Sequence, residues 1–157
     1  MERNIKDKIV ILYVDDEIHN LISFKATFRT KFKIFICPSA ADALEILKSN
    51  QIHVLITDQR MPEITGTELL EQVVQIDDSP IRILLTGYTD MDTVVEAVNK
   101  GKIYHYHSKP WNEDELEHTI RKAYEVYLEK AKIVEMNKKL AKSNEQLEFI
   151  LRQSMLD

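Results

Sequence analysis

The chain has 157 residues, 44% of them hydrophobic, and carries a net charge of −5. That length can bury one ordinary core, and an acidic balance with no cluster of Lys and Arg argues against a nucleic-acid-binding surface. Cys37 is the only cysteine, which rules out an intramolecular disulfide and a cysteine-rich zinc site; a small buried hydrophobe is its expected role.

The first apolar run, residues 9–14, is ended by acids and is too short for a signal-peptide core or a membrane span. A soluble, cytoplasmic protein with no membrane partner is expected. The run reads as a strand, followed by a helical period over 17–30, a strand at 33–37 and a helix over 39–49. Ser39 can cap that helix, with Asp42 three residues on as an approximate capping box. A strand at 53–57 leads to a loop marked by Pro62 and Gly66 and to a helix over 66–76. Pro80 precedes a strand at 81–86, and a helix over 90–100 ends before Gly101, which suits a left-handed C-cap. A fifth strand is expected at 103–107. Ile9-Val10-Ile11-Leu12 and Val54-Leu55-Ile56 are nearly unbroken apolar stretches, as central strands covered on both faces require. Strands alternating with helices in this way predict a parallel sheet of βα units.

From Asn112 onward neither Pro nor Gly occurs, and Lys, Glu, Leu and Ala dominate. One long helix is expected, beginning as the last helix of the domain and running beyond it. Heptads read from Ala123 place Val126, Ile133, Leu140, Leu147 and Ser154 at steps of seven, the first four apolar. The other inward set carries Ala123, Lys130, Asn137, Asn144 and Leu151. Asn at such positions sets register and strand number in coiled coils. A parallel two-stranded coiled coil over about 123–154 is therefore expected, making the chain a homodimer, although Lys130 interrupts the seam.

Asp15 and Asp16 follow the first strand, Asp58 the third, and Lys109 the fifth, immediately before Pro110. The carboxyl ends of strands in an open parallel sheet are where ligands bind, so these groups can converge on one pocket. Clustered carboxylates repel one another unless a divalent cation and an ammonium neutralise them. The set predicts phosphate handling through Mg2+. The bland alternatives are that Asp15 and Asp16 cap the next helix and that Asp58 is a turn residue. His105 and His107 lie two apart on one strand face, but the sequence offers them no evident third metal ligand. Tyr88, after Gly87, is placed at the mouth of the site, where it would influence access of water.

Tyr13-Val14-Asp15-Asp16-Glu17, Thr57-Asp58-Gln59-Arg60-Met61-Pro62, Leu85-Thr86-Gly87 and Tyr106-His107-Ser108-Lys109-Pro110-Trp111 together resemble the receiver domain of bacterial two-component response regulators. The likeness covers roughly residues 6–128. It implies a doubly wound α/β fold of flavodoxin-like architecture, with five parallel strands in the order 2-1-3-4-5. It divides the chain into a receiver domain at 1–128 and a helical extension, a coiled-coil linker, at 129–157. It also implies a phosphorylation-dependent signalling switch, and a regulatory domain rather than an enzyme.

By this resemblance Asp58 is the phospho-acceptor, taking its phosphoryl group from a sensor histidine kinase or a phosphotransfer protein. Asp15, Asp16, Asp58 and the backbone carbonyl of Arg60 hold Mg2+. Thr86 and Lys109 bind the phosphoryl group, and Tyr106 turns inward as Thr86 moves. The Lys109–Pro110 bond is implied to be cis. Gly87 leaves room for the backbone to approach the phosphoryl oxygens. The wording around Asp58, Thr86 and Trp111 is similar to receivers joined to signalling enzymes such as cyclic-di-GMP phosphodiesterases, so a longer protein is expected, with a stand-alone regulator as the alternative. A rival reading is a phosphatase of the haloacid dehalogenase type, whose nucleophile follows the first strand and is followed two residues on by a second Asp. Here Arg60 takes that second position, and Asp58 follows the third strand. A module that no longer takes phosphate is the other alternative, and the intact acid and lysine set speaks against it.

Overall fold

The computed structural model describes residues 8–87, 91–100 and 102–156. Five βα units follow one another: β1 (Val10–Val14), α1 (Ile18–Phe28), β2 (Lys33–Cys37), α2 (Ala40–Ser49), β3 (Val54–Asp58), α3 (Gly66–Ile76), β4 (Ile81–Thr86), α4 (Met91–Asn99), β5 (His105–Ser108) and α5 (Glu113–Leu156). The strands form one sheet in the order β2-β1-β3-β4-β5, every neighbouring pair parallel. The doubly wound flavodoxin-like fold is thus the one the sequence implied.

The unbroken apolar runs arise because each central strand feeds two cores. On one face Ile11, Tyr13, Val54, Ile56, Ile83 and Leu85 pack with Phe24 and Phe28 of α1 and Leu116, Ile120 and Ala123 of α5. On the other, Leu12, Val14, Leu55 and Leu84 meet Leu69, Leu70 and Val73 of α3 and Val94 and Ala97 of α4. Alternate residues point to opposite faces, so a strand buried on both sides has no polar position to spare. Cys37 lies in the second core, where burial pushes its thiol up to about 11, the inert state expected of it.

Local signals set several boundaries. Ser39 Oγ accepts from Asp42 N at 3.2 Å, capping α2, and Thr65 does the same for Glu68 N of α3. Gly101 and Tyr88 lie outside the described residues. The last strand differs from expectation, spanning 105–108 rather than 103–107. Ile103 turns into the α4 core, and the Lys102 carbonyl accepts from Arg82 Nε at 2.8 Å. The chain therefore reaches the ladder two residues late and carries it on to Ser108, opposite Thr86.

The segment after β5 is anchored by aromatics. The Lys109–Pro110 bond is cis, and Trp111 packs against Phe28 and Phe24 with ring centroids 5.6 and 6.0 Å apart. Phe24 in turn touches Tyr13 of β1, centroids at 4.3 Å. Lys109 is thereby held two residues from a fixed point in the α1/α5 core.

The 44 residues of α5 span about 66 Å at 1.5 Å per residue. Its first turns belong to the domain: Leu116, Ile120 and Ala123 are core residues, and Val126 and Tyr127 pack on them. Lys130 Nζ donates to the Asp78 carbonyl at 2.9 Å, and Gln51 Nε2 to Tyr127 Oη at 3.0 Å. Lys130, the polar intruder in the heptads, is thus engaged by the domain itself. From Ala131 to Leu156 every residue is exposed.

Replacing Trp111 by Ala is expected to cost about 2–3 kcal/mol, below the roughly 3–5 kcal/mol of a fully buried Trp because the ring is only half-buried. Urea unfolding of the variant measures it.

Candidate functional site

Ladder extensions bring the acids and the lysine together. Asp15 N donates to the Cys37 carbonyl at 3.2 Å, Gln59 N to Leu85 O at 3.0 Å and Lys109 N to Thr86 O at 3.0 Å. Each bond carries its strand pairing one step past the strand end. The side chains of Asp15, Asp58 and Lys109 consequently meet above β1, β3 and β5. Lys109 Nζ lies 3.1 Å from Asp15 Oδ2 and 3.1 Å from Asp58 Oδ1. Carboxylate oxygens of Asp15, Asp16 and Asp58 lie within 4.8 Å of one another, the closest such grouping among the described residues. Asp16, Glu17, Asp58, Gln59, Arg60, Gly87 and Lys109 line an open cleft of about 410 Å³.

The three acids sit in different environments. Asp15 is fully buried. Its Oδ2 accepts from Tyr13 Oη at 2.7 Å and Asn20 Nδ2 at 3.1 Å as well as from Lys109, and its Oδ1 accepts from Glu17 N at 2.9 Å. Asp16 is exposed, and Asp58 is buried to 8% exposure. Burial raises the Asp58 pKa above the ordinary carboxylate value; the Lys109 charge opposes this and the neighbouring Asp15 reinforces it. Burial also works to lower the Lys109 pKa, but its bonds to the two carboxylates outweigh that and the net shift is upward. Three carboxylates against one ammonium leave the cluster short of positive charge. All-oxygen donors at this spacing suit a small hard divalent cation.

The capping alternative for the acid pair does not describe the geometry. The N-cap of α1 is Glu17, which makes no side-chain cap bond, and Asp15 forms an Asx-type bond to Glu17 N instead. Thr86 is fully buried, and its Oγ1 donates to the Gly87 carbonyl at 3.0 Å. Tyr106 is half-buried against the core formed with α3 and α4. A Cβ at Gly87 would meet no heavy atom within 4 Å, so packing does not demand glycine there. Gly66 is different. A Cβ there would collide with the Asp58 carbonyl oxygen and lie 2.9 Å from Leu84 Cδ1, so the start of α3 rests directly on the Asp58 backbone.

Sequence reasoning passed over three supporting residues. Gln59 holds the start of α3: its Oε1 accepts from Thr67 N at 3.0 Å, and its carbonyl accepts from Gly66 N at 2.9 Å. Asn20 sits one turn into α1, too far along the chain for a local motif to flag. Tyr13 had a readable signal, being the one hydroxyl-bearing ring in an aliphatic strand two residues from Asp15, and a buried Tyr needs a partner. Between Gln59 and α3, Glu63 adopts φ 73°, and Ile64 N donates to the Pro62 carbonyl at 2.9 Å. This is a γ-turn of the strained, positive-φ kind, held beside the cleft.

The family model for the response regulator receiver domain matches residues 11–121. The hydrogenase transcriptional regulatory protein HoxA of Bradyrhizobium diazoefficiens is 32% identical over 117 residues, which are 74% of this chain and 24% of HoxA. This chain thus spans about a quarter of the length of that regulator. Sporulation initiation phosphotransferase F of Bacillus subtilis is 26% identical over 113 residues, 71% of this chain and 90% of that protein. The signal receiver domain of an HD domain-containing protein from Pseudomonas fluorescens Pf-5 superposes with a TM-score of 0.74 at 31% identity, covering 80% of this chain and 93% of that one. A five-stranded 2-1-3-4-5 sheet, an acid cluster bridged by a lysine at its carboxyl edge and a family match over most of the chain agree, and the chain belongs to the response regulator receiver domain family.

Proposed function

We propose that the chain is a phosphorylation-dependent switch whose acceptor is Asp58, working in a reducing, cytoplasmic setting. The observation that carries this is the placement of Lys109 Nζ at 3.1 Å from both Asp15 and Asp58 at the edge of an open cleft. An oxygen of the Asp58 carboxylate attacks the phosphorus of a phosphohistidine on a kinase or phosphotransfer protein. The P–N bond breaks as the new P–O bond forms, and the imidazole leaves. Such a transfer needs alignment and neutralisation of spread negative charge more than covalent chemistry. Asp15, Asp16, Asp58 and the Arg60 carbonyl are the proposed Mg2+ ligands, and the metal supplies charge neutralisation and a template when bound. Lys109 exchanges part of its ion pairing with the carboxylates for the phosphoryl oxygens. The haloacid dehalogenase alternative loses its footing, since Asp58 ends β3 and β1 is followed by a buried acid engaged by Tyr13, Asn20 and Lys109.

Thr86 and Tyr106 are the proposed relay. Thr86 Oγ1 is at present satisfied by the neighbouring Gly87 carbonyl, and transferring that donor to a phosphoryl oxygen requires the Thr86 side chain to move. Tyr106, on β5 next to β4, then fills the space released. The phosphoryl group needs to favour only one of two packed states.

The exposed half of α5 is proposed to pair in parallel with a second copy, as the coiled-coil linker of a longer signalling protein. Ile133, Leu140, Leu147 and Leu151 stand 56–61% exposed on one heptad seam with Asn137 and Asn144. An isolated helix of this composition would fray without a partner for its apolar face. Because Ala123 and Val126 are already covered by the domain core, the seam open to a partner begins at Ile133 rather than at Ala123.

Incubation with acetyl phosphate and Mg2+ is expected to add one phosphoryl group by intact mass, lost in Asp58→Ala and absent in Asp16→Asn. Equal labelling of Asp58→Ala would refute the acceptor assignment. Stability gives an independent check. A carboxyl whose folded pKa is raised destabilises the fold once ionised, so its cost is absent below the unfolded pKa and complete above the folded one. Asp58→Asn is therefore expected to melt higher than the parent at pH 7 without metal, with the gap closing as pH falls through the raised Asp58 pKa and gone below the ordinary carboxylate value. For the extension, sedimentation should show a dimer for the whole chain and a monomer for a chain ending at Lys132; monomers of both would leave α5 a simple spacer.

A further inference from the structure

His105 and His107 have a partner that the sequence did not reveal. Their rings stack on one face of β5 with centroids 4.9 Å apart and planes 21° from parallel. The fold sets them against the first turns of α5, where His118 joins them. Together with Asp114, Glu115 and Thr119 they line a single cleft of about 520 Å³. None of these residues lines the phosphoryl cleft.

The hydrogen bonds decide which nitrogens remain available. His105 Nδ1 lies 2.6 Å from the Tyr106 carbonyl oxygen. A carbonyl can only accept, so Nδ1 carries the proton and Nε2 keeps its lone pair. Thr119 Oγ1 donates its one proton to the Glu115 carbonyl at 3.1 Å. The 2.8 Å contact between His107 Nε2 and Thr119 Oγ1 therefore has the imidazole as donor, which leaves the His107 Nδ1 lone pair free. In both rings one nitrogen is anchored to an oxygen and the other presented as a base. Metal-bound imidazoles show this same division into one protonated and one basic nitrogen, because a bond to the N–H selects the tautomer.

We propose that His105, His107 and His118 form a second metal site, for a late divalent transition ion of the Zn2+ kind. Three imidazoles suit Zn2+, and Asp114, Glu115 or water completes four-coordination. The ligand atoms of the three histidines are not yet within 4.8 Å of one another, a spacing that only the Asp15–Asp16–Asp58 cluster reaches among the described residues. Stacked rings direct their in-plane lone pairs along separate planes, so the exposed rings of His105 and His118 both rotate, a fast motion, to gather the three imidazoles around the ion. Hard oxygen donors at the acid cluster and imidazoles here separate the two ions by chemistry. A bound ion would tie α5 to β5, the strand that carries Tyr106 and leads into Lys109.

The test titrates Zn2+ into the whole chain by calorimetry, with Mg2+ in large excess so that the acid cluster is competed. One Zn2+ per chain is expected. His105→Ala and His118→Ala alter exposed residues outside the phosphoryl cleft, and circular dichroism verifies that both remain folded. Each is expected to weaken Zn2+ binding at least tenfold, whereas His19→Ala, on α1 and not among the cleft residues, leaves it unchanged. The proposal is overturned by absence of Zn2+ uptake under excess Mg2+, by affinity within twofold of the parent in either cleft variant, or by an equal loss in His19→Ala.

Discussion

The ammonium of Lys109, 3.1 Å from a carboxylate oxygen of Asp15 and 3.1 Å from one of Asp58, is the contact on which the arrangement depends. Asp15 is fully buried and Asp58 nearly so, and an ionised carboxylate taken out of water is costly unless paired and hydrogen-bonded. Lys109, reaching in from the end of the edge strand β5, offsets part of that cost for two groups at the ends of the paired strands β1 and β3. Tyr13, Asn20 and the Glu17 amide complete the shell of Asp15. Asp58 receives less help, and burial leaves its pKa raised. The group proposed to react is thus one whose charged form burial disfavours, and perturbed groups of this kind cluster at functional sites.

Holding an ammonium in that position requires the chain after β5 to be rigid. Trp111 supplies this by inserting beside Phe24 and Phe28, and Phe24 extends the contact to Tyr13. Tyr13 therefore serves both ends of the site, with its ring in the aromatic cluster and its hydroxyl on Asp15. On the other side Gly66 lets α3 rest on the Asp58 backbone while Gln59 ties the intervening loop to Thr67. The pocket is built on the two cores beneath it, and its loops are pinned at both margins.

Helix α5 divides its length between two tasks. Up to Lys130 it is part of the domain, with Ala123 in the core, His53 against the rings of Tyr124 and Tyr127, and Lys130 on the Asp78 carbonyl. Beyond that its apolar side chains face solvent. The rigid base fixes the direction in which the free half leaves the domain. A shift of β5 or α5 within the domain would therefore be carried along the helix axis.

The sequence by itself determined the sheet, its strand order through family resemblance, and the identity of the charged set. Strands covered on both faces are near-continuously apolar, and Val54-Leu55-Ile56, set between turn signals, fits that pattern. The start of α3 was legible because Pro62 and Gly66 mark the loop before it within a few residues of each other. Tertiary structure alone decided what required distant segments to meet. The late start of β5 depends on Arg82 capturing the Lys102 carbonyl, and the removal of Lys130 from the heptad seam depends on a carbonyl 52 residues away. The third histidine beside His105 and His107 comes from another element altogether. Periodicity records which face of an element is buried, because burial acts on each residue locally. It carries no record of which residue lies across the gap, since that is set by how finished elements pack.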